Sequence, residues 1–349
     1  KLGPLDDGYG TQGSEGRRAF ELMSVGFGPG STGPLIVVAE LPQQVRSTKD
    51  PLVDGLARDL ADVRGVAHVT AAKLNESGRS VLFQAIPDYA PSDPRALEVV
   101  KDVRALSPNV HVGGKVAALA DAGDRISGRT PLVIGVVVLL SALLLLLAFR
   151  APVVAIKAAL MNLVSLGAAF GALALVFSIG LGSRLVGMDP PAMASYVQQL
   201  FFTVPIESYV PLMLFAVLFG LSMDYEVFLL TAVRQAYLTH GDNRRAVAEG
   251  LGSTGRVITS AALIMVAVFV AFIAYPDPLV KTFGVGLAVA IAVDATIIRG
   301  FLVPATMVLL GRLNWWCPRW LDRLLPNLSV EGHEEEPRQR REEALVSNT

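Results

Sequence analysis

A chain of 349 residues that is 52% hydrophobic and only 17% charged is too apolar for an ordinary soluble domain, where roughly a quarter of residues carry charge. Its formal net charge of −1 gives no reason to expect a nucleic-acid partner. A single cysteine, Cys317, excludes an internal disulfide framework, and His68, His111, His240 and His333 lack metal-ligand spacing, so neither metal nor cofactor is expected.

Apolar residues are spaced as in a soluble domain up to about Arg129, then crowd into long runs as far as Leu310. Within residues 1–128 the pattern predicts a short amphipathic helix after Thr11, a strand over Pro34–Leu41 and a helix over Thr48–Val63. Strands over Ala67–Leu74 and Ser80–Pro87 follow, joined by the turn Asn75-Glu-Ser-Gly. A helix from Ser92 to about Leu106 and a strand over Asn109–Gly113 complete the region. This β-α-β-β-α-β order predicts a ferredoxin-like α+β domain, a fold that by itself carries no particular chemistry. Asp6, Asp7, Glu15, Arg17 and Arg18 read as a solvated face rather than an active site.

Five runs reach the length of about 20 apolar residues that a membrane span needs. They predict an α-helical polytopic bundle over 129–310, with spans at about 131–149, 155–181, 210–232, 257–275 and 279–302. Positive residues set the orientation. Arg150 and Lys157 follow span one; Arg234, Arg244, Arg245 and Arg256 follow span three; Arg312, Arg319 and Arg323 follow span five. The opposite loops carry only Arg184 and Lys281, with Arg125 and Arg129 ahead of span one as a minor contrary signal. The N-terminal domain is therefore expected outside and the C-terminal tail in the cytoplasm.

An external domain of this size needs a helix or signal to lead it across, so the chain reads as a fragment or a half-protein. Leu238–Gly255 is expected to lie along the cytoplasmic interface, and Arg184–Tyr209 to be an external, re-entrant or interfacial loop. Residues 311–349 read as an interfacial segment anchored by Trp315, Trp316 and Trp320, ending in a disordered Glu/Arg-rich tail from Glu331.

Chemistry, if the chain performs any, belongs to span three and its Phe219-Gly-Leu-Ser-Met-Asp-Tyr-Glu-Val-Phe stretch. Asp224 lies near the middle of that span, where an ionisable group costs roughly 2.5–3.5 kcal/mol on insertion scales and calls for a compensating role. Helical spacing puts Gly220, Asp224, Phe228 and Thr231 on one face, with the hydroxyls of Tyr225 and Ser222 nearby. Glu226 points about 200° away and nearer the cytoplasmic end, a secondary candidate that reads equally as snorkelling toward Arg234 or the interface. No Lys or Arg is expected at the depth of Asp224, which favours a proton carrier over an ion pair that merely glues helices. Asp294 on span five has Arg299 five residues on, a loose pair read first as structural. Thr259 and Ser260 on span four could line a polar path. Gly167 and Gly171 form a G-x-x-x-G on span two which, like Gly220, reads as a close-packing device. Neither a Ser/His pair nor paired metal-binding Asp residues occur in the spans, so an enzyme is not expected.

Four stretches resemble the MMPL family of resistance–nodulation–division transporters. They are Gly26-Phe-Gly-Pro-Gly; Pro205-Ile-Glu-Ser through Gly220-Leu-Ser-Met-Asp-Tyr-Glu-Val-Phe-Leu; Gly255-Arg-Val-Ile-Thr-Ser-Ala-Ala; and Val293-Asp-Ala-Thr with Asn314-Trp-Trp. The resemblance implies twelve spans in two similar halves, each with an external porter domain, of which this chain is similar to the second. It implies export of lipids or other hydrophobic molecules driven by protons, with Asp224 and Tyr225 as relay residues facing a matching Asp-Tyr pair on the absent first half. The partners implied are that half and a lipid; a homo-oligomer is also compatible. The competing expectation is a non-transporting membrane module that binds lipid or a partner protein.

Overall fold

The structure, a computed structural model, describes residues 3–180, 186, 188 and 203–325. The tail beyond Leu325, and residues 181–202 of the loop region apart from Val186 and Met188, lie outside the described residues.

The N-terminal region begins with a strap, residues 3–11, and helix α1 (Glu15–Phe27). Gly28 ends α1 at φ 92°, and a Cβ on Gly30 would collide with the Pro87 carbonyl, so glycine is required where this turn meets the sheet. Then come β1 (Leu35–Glu40), α2 (Pro51–Ala61), β2 (Val66–Val69), β3 (Lys73–Leu74), β4 (Ser80–Pro87), α3 (Pro94–Ala105) and β5 (Val110–Gly113). The strand predicted over Ala67–Leu74 is thus two short strands, β2 and β3. The sheet order is β2-β4-β1-β5 with antiparallel neighbours, and β3 also pairs with β4.

Alternation along β1 and β4 sends Leu35, Val37, Ala39, Val81, Phe83 and Ala85 to one face. Val53 and Leu60 of α2 and Val99, Val100 and Val103 of α3 cover it. Both helices start alike. Asp50 and Asp93 cap them by accepting from Leu52 and Arg95 amides, and Pro51 and Pro94 occupy the first helical position.

Helix α4 (Lys115–Phe149) runs unbroken from β5 into the first span, so no flexible linker separates the domain from the bundle. Among the described residues four more helices are long and apolar enough to cross a membrane. They are α5 (Pro152–Leu173, ending as a π-helix over Ala174–Ser178), α6 (Val210–His240), α7 (Asn243–Ile273) and α8. Helix α8 is α-helical over Pro278–Val293, π-helical over Asp294–Leu302 and α-helical again over Val303–Leu310. A short α9 (Arg319–Leu324) follows.

One expectation about the connections is refined. Leu238–Gly255 is the junction of two helices rather than a loop: α6 and α7 meet at Gly241 (φ 68°), and Asp242 caps α7 by accepting from the Arg244 amide. Trp315 packs on the bundle. It stacks on Tyr237 with centroids 5.5 Å apart, under the Arg234 guanidinium at 4.8 Å, while Trp316 and Trp320 are exposed.

The strap ties the domain to the loops at one end of the bundle. The Gly3 amide donates to Ile206 O at 3.0 Å, the Leu5 amide to Glu207 Oε1 at 2.8 Å and the Thr11 hydroxyl to Pro276 O at 2.9 Å. Burial pushes the Asp6 carboxyl above its usual range while it accepts from the amides of Gly8 and Ser92.

Candidate functional site

The polar centre of the bundle is not built on Asp224. Along α6, Ser222 and Glu226 are one turn apart and buried, whereas Asp224, half a turn from both, is exposed together with Gly220 and Phe228. Ser222 is 3% exposed and Asp294 of α8 7%. The Arg299 Nε donates to Asp294 Oδ2 at 2.8 Å, a tight ion pair where the sequence predicts a loose one. The π-helix explains the difference. Five residues of α-helix turn through about 500°, leaving side chains roughly 140° apart. The i→i+5 spacing of a π-helix widens each turn and swings them toward the same side.

Helices α5 and α6 complete the coordination. The Ser165 hydroxyl donates to Asp294 Oδ1 at 2.7 Å. The Ser222 hydroxyl lies 2.8 Å from Asn162 Oδ1 and 3.2 Å from Asp294 Oδ2, two acceptors for its one proton. It accepts from Arg299 Nη2 at 2.7 Å, and the same Nη2 also donates to the Ser222 carbonyl. Asn162 Nδ2 reaches the Met223 sulfur at 3.2 Å. The Arg299 guanidinium lies 5.5 Å from the centroid of the Tyr225 ring. A narrow cavity of about 10 Å³ runs between Ser222, Tyr225, Asp294, Arg299 and the α7 residues Ile258 and Ala262.

The expectation of no Lys or Arg at this depth is corrected: Arg299 and Lys157 are buried inside the bundle, 3% and 6% exposed. Lys157 lies inside α5 rather than in a connecting loop. Thr259 and Ser260 are on the exposed side of α7 and do not join the centre. Gly167, Gly171 and Gly220 are exposed, and a Cβ on any of them would meet nothing within 4 Å among the described residues. Close approaches within the chain fall instead at Gly250, against Val233, and at Gly284, where a Cβ would sit 2.8 Å from Phe269 O. Sequence reasoning passed over Asn162, Ser165 and Lys157. Their signal was polarity inside the otherwise apolar second run, which a search centred on carboxylates does not register. Among the described residues no group of His, Cys, Asp and Glu could hold a metal ion.

The MMPL family model matches residues 191–327. The chain is 37% identical over 317 residues to the mycolic acid-containing lipids exporter MmpL11 of Mycolicibacterium smegmatis, covering 87% of this chain and 32% of that protein. It is 32% identical over 348 residues to the trehalose monomycolate exporter MmpL3 of the same organism, covering 94% of this chain and 32% of that protein. Membrane protein YdfJ of Bacillus subtilis is 31% identical over 342 residues, covering 96% of this chain and 45% of that protein. The chain thus spans about a third of the length of the two exporters and under half of the third relative. With five apolar helices around a buried polar centre among the described residues, the chain is similar to MMPL-family membrane proteins along most of its length.

Proposed function

We propose that this chain is the second half of a proton-driven exporter of lipids or other hydrophobic molecules, with Asp224 and Tyr225 as the relay facing the other half. The observation that carries this reading is the exposed carboxylate of Asp224 at mid-span, beside the exposed Gly220. A carboxylate facing lipid costs roughly 2.5–3.5 kcal/mol on insertion scales, which a second protein surface with polar groups would offset. Gly220 would let that surface approach closely. Behind Asp224, the Tyr225 ring touches the cavity shared with Asp294 and Arg299, so a proton at the interface has polar groups to reach. The antiparallel sheet with its two helices is, in this reading, a ferredoxin-like porter domain outside the cytoplasmic membrane, and α9 lies in the cytoplasm. The lipids in the names of the mycobacterial exporters suggest the cargo class.

Asp224→Asn in the whole reconstituted transporter tests it. Asn keeps the size and hydrogen-bonding capacity but cannot alternate between charged and neutral forms. Proton-driven export of a lipid cargo, counted per inserted copy, is expected to fall to background with abundance nearly unchanged. Each proton moved contributes about 2.3 kcal/mol per 100 mV, and without exchange that drive is lost. Near-normal export per copy would sink the relay and favour a lipid- or partner-binding module.

A further inference from the structure

Lys157 Nζ, Glu226 Oε1 and Arg299 Nη1 are buried polar atoms that have no hydrogen-bond partner among the described residues. Lys157 and Glu226 are both more than nine-tenths buried, at 6% and 4% exposure. Their level in the bundle follows from two antiparallel helices. Asn162 and Ser222 are hydrogen-bonded across α5 and α6. Lys157 precedes Asn162 by about 7.5 Å of helix and Glu226 follows Ser222 by about 6 Å. Both therefore lie toward the end where α6 passes into α7, one layer beyond Asp294. Arg299, five residues past Asp294 on α8, reaches the same layer.

We propose that Glu226, Lys157 and Arg299 Nη1 form a water-holding proton site, which joins the Asp294–Arg299 pair to the membrane face at the α6–α7 turn. Unpartnered polar atoms in the bundle interior are unfavourable. A few waters bridging them remove that cost, because a buried water typically makes about three hydrogen bonds to such groups. The layer is charge-balanced: Lys157 and Arg299 against Glu226 and Asp294. Glu226 can pass its proton to a bridging water, leaving a carboxylate that, with Asp294, balances the two cations, and recover a proton the same way. Every other charge on the packed helices is placed elsewhere. Arg244, Arg245, Glu249 and Arg256 of α7 are on its exposed side, and α4 carries no charge from Pro131 to Phe149. A dry, permanent Lys157–Glu226 ion pair is the competing arrangement.

This role deepens the proposed proton coupling, yet the site can be tested without cargo. Infrared spectra of the whole protein in lipid nanodiscs, titrated in H2O and D2O, report protonated carboxyl groups. A carboxyl band that shifts on D2O exchange is expected in the unaltered protein and is expected to be lost in Glu226→Gln. In Lys157→Met, which keeps Glu226, the pH at which that band disappears is expected to move to the alkaline side, since the carboxylate has lost a cation. Glu226→Asp is expected to keep a band at a shifted frequency. A Glu226→Gln spectrum identical to the unaltered protein at every pH would overturn the site. So would a band that never exchanges with D2O, or one indifferent to Lys157→Met. Asp224→Asn leaves Glu226 intact, so normal export in that variant with the Glu226 band present would reject the relay alone.

Discussion

Arg299 is the residue on which the interior of the bundle turns. It neutralises Asp294 through Nε, fixes Ser222 through Nη2 and lies over Tyr225. Removing one partner of a buried ion pair leaves the other charge uncompensated, a loss of about 3–5 kcal/mol. Removing both can be nearly neutral. Arg299→Gln is therefore expected to lower the thermal midpoint and inserted abundance of the protein sharply, and Asp294→Asn combined with Arg299→Gln to recover most of both. A double variant as unstable as the single one would mean that Arg299 acts through its bonds to Ser222 rather than through Asp294. Little of this was legible in the order of residues. The spacing of Asp294 and Arg299 reads as loose in an α-helix, and only the π-helical stretch makes it tight.

At the scale of elements, small residues decide how closely helices approach, but their positions in the sequence do not say which glycines do so. Gly284 on α8 packs against the backbone of α7, with Phe269 O 2.8 Å and Ile273 N 3.0 Å from where a Cβ would stand. Backbone atoms cannot swing aside, so Gly284→Val forces α7 and α8 apart, an overpacking cost of about 1–3 kcal/mol. Gly252, also on α7, meets nothing within 4 Å, and Gly252→Ala is expected to be neutral or to stabilise by up to about 1 kcal/mol by restricting the unfolded chain. Thermal melting of the two variants beside the unaltered protein checks the contrast; equal midpoints would refute this packing. The G-x-x-x-G of Gly167 and Gly171 was the more conspicuous signal, yet it faces outward in this chain.

The whole molecule joins a sheet domain to a five-helix bundle through α4 on one side and the strap on the other. The orientation of that assembly in a membrane is proposed from the distribution of Arg and Lys, and Cys317 offers a direct reading. Cys317 lies between the bundle and α9, half-buried, and burial pushes its thiol up, so labelling needs mildly alkaline buffer to form the reactive thiolate. An impermeant thiol reagent is expected to reach Cys317 in inside-out vesicles but not in intact cells. Asp88→Cys, in the exposed end of the domain, is expected to label in intact cells once Cys317 is replaced by Ser. The opposite pattern would invert the topology.

The run lengths of apolar residues by themselves determined that five helices could cross a membrane, because a span needs a minimum number of such residues whatever it packs against. Alternation, helical spacing and turn residues likewise located β1, β4 and β5 and the approximate extents of α2 and α3, since these patterns act within a few residues. Which face of each helix turns inward was decided only by the tertiary structure. Asp224, Glu226 and Asp294 are equally improbable in hydrocarbon when read along the chain. Packing of α5, α7 and α8 around α6 buried two of them with Lys157 and Arg299 and left Asp224 on the outside. Long-range contact assigns those faces, because a helix hydrophobic nearly all round carries little periodicity to orient it.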